Sequence, residues 1–165
     1  MIMESFSGLS HKFDYSLVGQ DGGSPLIPLI SFGSPPTTQK ARMEIVEQMI
    51  WNASFCESGD HTLAAAAHAI AEVVKAEADD YFVFVLSDAN LGGYGITGES
   101  LAQVLLADKR VSTYAIFIAG EAQALPLTKM LPLGHGHVCT DTAQLPRIFK
   151  TIFSEALVKA RTSKL

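Results

Sequence analysis

Cysteine is nearly absent from this 165-residue chain, which holds only Cys56 and Cys139, far apart and outside any C-x-x-C spacing. Two such residues build neither a disulfide framework nor a four-cysteine zinc site, and they suit a reducing compartment. Basic charge is scarce too. Twelve Lys plus Arg against seventeen Asp plus Glu leave a net charge of −5 and a pI near 5.4, so bulk charge offers no phosphate-neutralising surface and argues against nucleic acid. Long apolar runs are missing as well. The longest weakly polar stretch, Leu63 to Ala71, is Ala-rich and contains His68, well short of the roughly 20 residues that a bilayer requires; no membrane partner is expected. Met1 to Ser10 contain Glu4 and no Lys or Arg, so that stretch lacks the basic start of a secretory or transit signal. No G-x-x-x-x-G-K-[ST] occurs, which excludes a P-loop and ATP hydrolysis by this chain itself.

What is present suits one folded domain. The chain is 48% apolar and 18% charged, enough to bury a core, and its length matches a single domain. From His11 to Gly19, Phe13, Tyr15 and Leu17 alternate with Asp14, Ser16 and Val18, the period of a strand. Gln20 to Ser24 are turn formers, and Leu26 to Phe32 resume an apolar pattern broken by Pro28, so an edge hairpin is expected. Ser34-Pro35-Pro36 then open a helix ending near Trp51-Asn52, with Ala41, Met43, Ile45, Val46, Met49 and Ile50 on one stripe that reads as core. Capping residues in Ser58-Gly59-Asp60-His61-Thr62 introduce a second helix, Leu63 to Ala76. Tyr81 to Leu86 is a continuous β-branched and aromatic run, as in a parallel strand buried on both faces. A Gly-rich loop, Asn90 to Thr97, a helix from Gly98 to Ala107, and a strand from Val111 to Ala119 follow. Next are a helical piece broken at Pro126 (Ala122 to Leu131) and a short strand, His137 to Thr140. Asp141 or Thr142 caps a last helix whose Leu145, Ile148, Phe149, Ile152 and Phe153 share a face. The order predicts a doubly wound, mostly parallel α/β sheet with an antiparallel edge.

Ligands of such sheets bind outside the strand C-termini, which directs attention to Asp88. With Asp60, His61 and Thr62 it offers oxygen ligands to a hard divalent cation such as magnesium; an Asx turn capping the next loop explains the same residue equally well. Gly93-Tyr94-Gly95-Ile96-Thr97-Gly98 matches G-x-G-x-x-G, with Glu121 about 20 residues on, as an NAD-type fingerprint requires. Six residues, Ser87 to Gly92, separate it from the strand, however, and Asp88 would face the pyrophosphate. A small nucleotide-binding enzyme using Gly93, Gly95 and Gly98 therefore stands only as an alternative, behind a surface loop. His135, His137 and Cys139 alternate with zinc-type chemistry, but no fourth ligand is evident, and surface histidines with a buried Cys are expected. Ser, His and Asp are all present, yet no G-x-S-x-G places a nucleophile. No catalytic residue is assigned.

The hairpin, the helix, Ser58-Gly59-Asp60-His61-Thr62 before a second helix, and Phe82-Val83-Phe84-Val85-Leu86-Ser87-Asp88 together resemble a von Willebrand factor A domain over almost the whole chain. Met3-Glu4-Ser5-Phe6 leading to His11 through Gly19, the Asp88-Ala89-Asn90 loop and the Ile148-Phe149 helix narrow the resemblance. They are similar to the C-terminal A domain of very long mitochondrial AAA+ ATPases. The resemblance implies a non-catalytic protein-interaction module, mitochondrial location, ATP handled only by other domains, and a metal-ion-dependent adhesion site that captures an acidic side chain of a protein partner. In such sites a D-x-S-x-S motif on the first, central strand supplies most magnesium ligands. By that match Asp88 is the third-motif Asp, and Asp60 or Thr62 stands where the second motif has Thr. No D-x-S-x-S exists in these residues. The expected architecture is thus a single partial domain lacking its first central strand. Residues 1–9 would be the end of the first helix, 10–33 the hairpin, 34–157 alternating helices and strands, and 158–165 a tail. Magnesium is expected only if the missing strand is supplied. Without it, two apolar strand edges are bare, each unsatisfied buried polar group costing about 1–3 kcal/mol against a stability margin of about 5–15 kcal/mol.

Overall fold

The computed structural model describes residue 3 and residues 13–162, with side chains through Glu155. The end of the first helix at residues 1–9, Met3 apart, and His11-Lys12 lie outside the described residues. The chain divides into two compact units, Met1–Ala65 and Ala66–Leu165.

In the first unit, β1 (Leu17–Gly19) and β2 (Ile27–Ile30) form an antiparallel two-stranded sheet. Asp21 shapes its turn by accepting from the N–H groups of Gly23 and Ser24 at 2.9 and 2.8 Å. The first strand is shorter than the alternation from Phe13 predicts. The Asp14 carboxylate accepts from the Gly33 N–H at 2.9 and 3.0 Å and from the Tyr15 N–H at 2.9 Å, holding this segment as a stapled loop. The register then slips between Leu17 and Val18, where Val18 opposes Pro28, a residue with no N–H to donate.

Helix α1 (Gln39–Ser54) starts behind Thr38, whose hydroxyl accepts from the Ala41 N–H at 3.1 Å, rather than at Pro35-Pro36. It also continues past Trp51-Asn52, because Asn52 and Ala53 contain no helix breaker. The core reading of its apolar stripe is overturned: none of its residues is buried, and Met43, Met49, Ile50 and Trp51 are 42–66% exposed. Strands of three and four residues form too small a ribbon to cover sixteen helical residues.

Helix α2 (Thr62–Val73) leads from the first unit into the second, stopping before Ala76 in a turn where the Lys75 N–H donates to Glu72 O at 3.1 Å. In the second unit, β3 (Tyr81–Ser87), β4 (Val111–Ile118) and β5 (Gly136–Cys139) form a parallel sheet in the order β3-β4-β5. The β3–β4 register runs unbroken from Tyr81 opposite Val111 to Ser87 opposite Phe117. Both faces are covered, as the doubly wound prediction requires. On one face Ile70, Val83 and Val111 pack with Val73 and Val104, the last from α3 (Gly98–Leu105). On the other, Ile116, Cys139, Leu145 and Ile152 pack with Phe84, Tyr114, Ile148 and Phe149, the helical members coming from α5 (Leu145–Thr162). Phe153 sets its ring 5.2 Å from Phe82 and 5.4 Å from Phe84. This is the shared face expected of Leu145 to Phe153.

Two boundaries differ further. Pro126 does not break α4 (Glu121–Met130), which is one continuous helix. The first turn is closed by Gln123 and Ala124 donating to Gly120 O at 3.1 Å, and buried Ala124 anchors it, so the proline forfeits one bond beyond an established turn. Residues 158–162, assigned to a tail, instead extend α5 to Thr162, consistent with the helix-favouring Lys159, Ala160 and Arg161.

These contrasts yield a paired stability prediction. Truncating Ile152 to Ala removes a fully buried side chain from the α5 face and should cost about 2–5 kcal/mol in a urea titration. Ile50→Ser on the exposed stripe of α1 should stay within about 0.5 kcal/mol of the parent.

Candidate functional site

Asp88 follows the last residue of β3 and is exposed. Its Oδ1 accepts from the Asn90 N–H at 3.0 Å, while the Ser87 hydroxyl accepts from the Ala89 N–H at 3.1 Å. Ala89 takes the left-handed backbone, φ 66°, and the chain turns directly into a short 3-10 helix, Asn90–Tyr94. The Asx turn is therefore present, and it fixes the carboxylate at the C-terminal end of the parallel sheet.

Asp60 and Thr62 lie together in the first unit. Asp60 Oδ1 accepts from the Thr62 N–H at 2.6 Å, and buried Thr62 accepts at Oγ1 from Gln20 Nε2 at 3.4 Å. Gln20 also accepts from the His61 N–H through Oε1 at 2.7 Å. The hairpin turn and the 58–62 loop touch closely: the Gly22 N–H donates to Glu57 O at 3.0 Å, and a Cβ on Gly22 would stand 2.2 Å from Ser58 O. Glycine is required there by space, and at Gly59 by both space and a φ of 149°. In the sequence Gln20 reads only as a turn former. Its role depends on a partner 41 and 42 positions away, which no local pattern reveals.

The donor chemistry of Asp60, Thr62 and Asp88 is hard oxygen, the type that magnesium takes. The loop pair is nonetheless committed to neighbours: Asp60 caps α2 and Thr62 receives the Gln20 amide. Among the described residues no group of three or more His, Cys, Asp or Glu is placed to hold a metal ion. Three oxygen-bearing side chains are fewer than the six ligands that an octahedral ion takes.

The glycine loop is built for its own helix. Thr97 and Ser100 form a reciprocal capping box, each side chain accepting from the other's N–H at 3.1 Å. These are N–H groups that a pyrophosphate would otherwise meet at the start of α3. A Cβ on Gly98 would stand 2.3 Å from Met130 Sδ, so its glycine serves helix packing. Glu121 is not at the strand end, as the fingerprint reading supposes. β4 ends at Ile118, and Glu121 opens α4 behind Gly120.

The histidine-cysteine alternation does not form a ligand set. His135 Nδ1 donates to Thr113 O at 2.8 Å and His137 Nε2 donates to Gly134 O at 3.1 Å, while the buried Cys139 thiol donates to Asp141 O at 3.1 Å. Asp141 Oδ1 in turn accepts from the Ala143 N–H at 2.9 Å, the cap expected before the last helix. His135 and His137 ring centroids stand 5.8 and 6.1 Å from Tyr114. Burial pushes the His137 imidazole below its ordinary range, outweighing its bond to Gly134 and the nearby Glu155 charge.

Over 161 residues, 97% of its length, the chain is 40% identical to "von Willebrand factor A domain-containing protein 8" of Mus musculus; it spans 8% of that protein. No family model and no solved structure matches the chain. That identity, with a parallel sheet ending at Asp88, makes this a von Willebrand factor A-related α/β domain. Among the described residues no helix is long and apolar enough to cross a membrane.

Two measurements check the local chemistry. Gln20→Ala should cost about 1 kcal/mol and speed hydrogen exchange at the His61 amide, because its acceptor is lost. For His137, the folded state disfavours a proton that the unfolded chain accepts near 6.5. Stability should therefore be full above that pH and fall as the pH drops below it, and His137→Gln should flatten this part of the pH-melting profile.

Proposed function

We propose that this von Willebrand factor A-related chain is a non-catalytic protein-interaction module, an incomplete A domain whose metal-ion-dependent adhesion site is degenerate without a further strand. The observation that carries the reading is the division of strands into β1-β2 and β3-β4-β5, with Asp88 at the C-terminal end of outermost β3 and no D-x-S-x-S in the sequence. In the family order, the first strand lies between the counterparts of β1 and β3. By the resemblance, such a strand would supply the Asp and Ser oxygens of the site to which Asp88 belongs, with Asp60 or Thr62 as the second-motif ligand.

Magnesium would then be held by oxygen donors and present a vacant position to an acidic side chain of a protein partner. Asp88 is held ready for that role by its turn; Thr62 would have to exchange the Gln20 amide for the ion. The resemblance of Met3 to Phe6, the Asp88-Ala89-Asn90 loop and the Ile148-Phe149 helix supports a place in the C-terminal part of a mitochondrial AAA+ ATPase-type protein, with any ATP chemistry in its other domains. Nothing in the acidic composition suits nucleic acid.

The test supplies the missing piece. A β-α segment of about 30 residues carrying D-x-S-x-S should raise the cooperative melting temperature and create one magnesium site by calorimetry, lost in Asp88→Asn. The chain alone should bind magnesium weakly or not at all. Tight stoichiometric binding by the chain alone, or no binding after the segment is added, would overturn the reading.

A further inference from the structure

We propose that the outward face of α5, around Arg147 and Lys150, docks an acidic segment of a partner protein. The proposal goes beyond the metal-site reading and uses neither a sheet edge nor the first unit. Five of the chain's twelve Lys and Arg, but only one of its seventeen Asp and Glu, fall in residues 142–165. An acidic chain thus gathers its cations in the segment that forms its last helix, an asymmetry that points to an anionic partner.

The fold directs both cations away from the core. Arg147 stands two positions after buried Leu145, and Lys150 two positions before buried Ile152. Two positions turn a helix by about 200°, so Arg147 and Lys150 occupy the side opposite the sheet, and both are exposed. Exposed Ser154, two positions after Ile152, continues the stripe. A further element on the same sheet face would lie beside α5, leaving this outer side uncovered.

The helix itself makes no use of these charges. Arg147 and Lys150 are three positions apart, a like-charge spacing that destabilises a helix, and the positions three and four away from either hold no Asp or Glu. Among the described residues neither has a salt-bridge partner. Both lie in the first two turns, where cations oppose the positive end of the helix dipole, and the first turn carries no acidic residue. A local rule broken without a folding role marks a functional position.

Charge and shape select the occupant. The stripe is one helix face wide; exposed Asp141 precedes it in the chain and exposed Glu155 follows it. At physiological ionic strength charges beyond about 8 Å are largely screened, so the local pair outweighs the acidic remainder of the chain. A flexible acidic segment can follow the stripe and stay clear of both carboxylates. A membrane plane or a nucleic acid duplex would press its phosphates against them.

The test titrates the full chain against a fluorescently labelled peptide of alternating glutamate and serine, with EDTA present so that no bound magnesium contributes. Saturable binding is expected, with chemical-shift changes at the amides of residues 147–154 and steep weakening on addition of salt. The double variant Arg147→Glu, Lys150→Glu should bind about tenfold more weakly without lowering the melting temperature. Lys109→Glu, Lys129→Glu makes the same change in net charge elsewhere and should bind as the parent does. No binding, an equal loss in the two double variants, or tighter binding to vesicles of phosphatidylcholine and phosphatidylserine than to the peptide would overturn the proposal. Because EDTA silences any metal site, failure here with successful D-x-S-x-S complementation would remove this docking face alone; the converse would remove the metal-site reading alone.

Discussion

Strand β4 is the member on which the second unit depends, because it alone has a strand on either side and helices over both faces. Ala115, Ile116 and Phe117 are fully buried in consequence. Parallel pairing of this kind requires crossover connections, and the helices that make them also bury the sheet faces. α2 and α3 close one side around Val83 and Val111, and α5 closes the other around Ile116 and Ile152. The same constraint explains β3. With one neighbour in place of two, an equally apolar strand is mostly half-buried, with Val83 buried and Leu86 exposed.

The first unit rests on polar staples more than on burial. Asp14 holds Gly33, Asp21 holds its own turn, and Gln20 joins the hairpin turn to the loop that carries Asp60 and Thr62. Each hydrogen bond contributes about 1 kcal/mol net, a small sum beside the cluster around Ile116. Among the described hydrophobic residues of this unit, only Ile30 is buried. This contrast also separates the candidate ligands physically: Asp88 terminates a rigid parallel strand, whereas Asp60 and Thr62 belong to a loop whose conformation depends on one glutamine.

Much of the second unit was legible from residue order. Tyr81 to Leu86 and Val111 to Ile118 are long apolar runs bounded by turn formers, and the Leu145 to Phe153 stripe has helical period, so burial and local propensity agree. The misses occur where an apolar pattern does not decide its own partner. The α1 stripe has helical spacing but meets only the short β1-β2 ribbon, which leaves its residues half-buried or exposed, and Phe13 to Ser16 alternates like a strand while Asp14 is occupied by Gly33. Pro126 reads as a helix break because the burial of Ala124 and the bonds to the Gly120 carbonyl are invisible in sequence.

At the candidate site, sequence alone determined which chemistry is available: oxygen donors at Asp60, Thr62 and Asp88, no D-x-S-x-S, and no P-loop, since these are matters of residue identity. Tertiary structure decided how those groups are engaged. Gln20 meets Thr62 across 42 positions, the Gly93–Gly98 loop caps its own helix, and β3 lies outermost in its sheet. The reason is that hydrogen bonds and strand pairing join groups distant along the chain, and their geometry is set only once the backbone has folded.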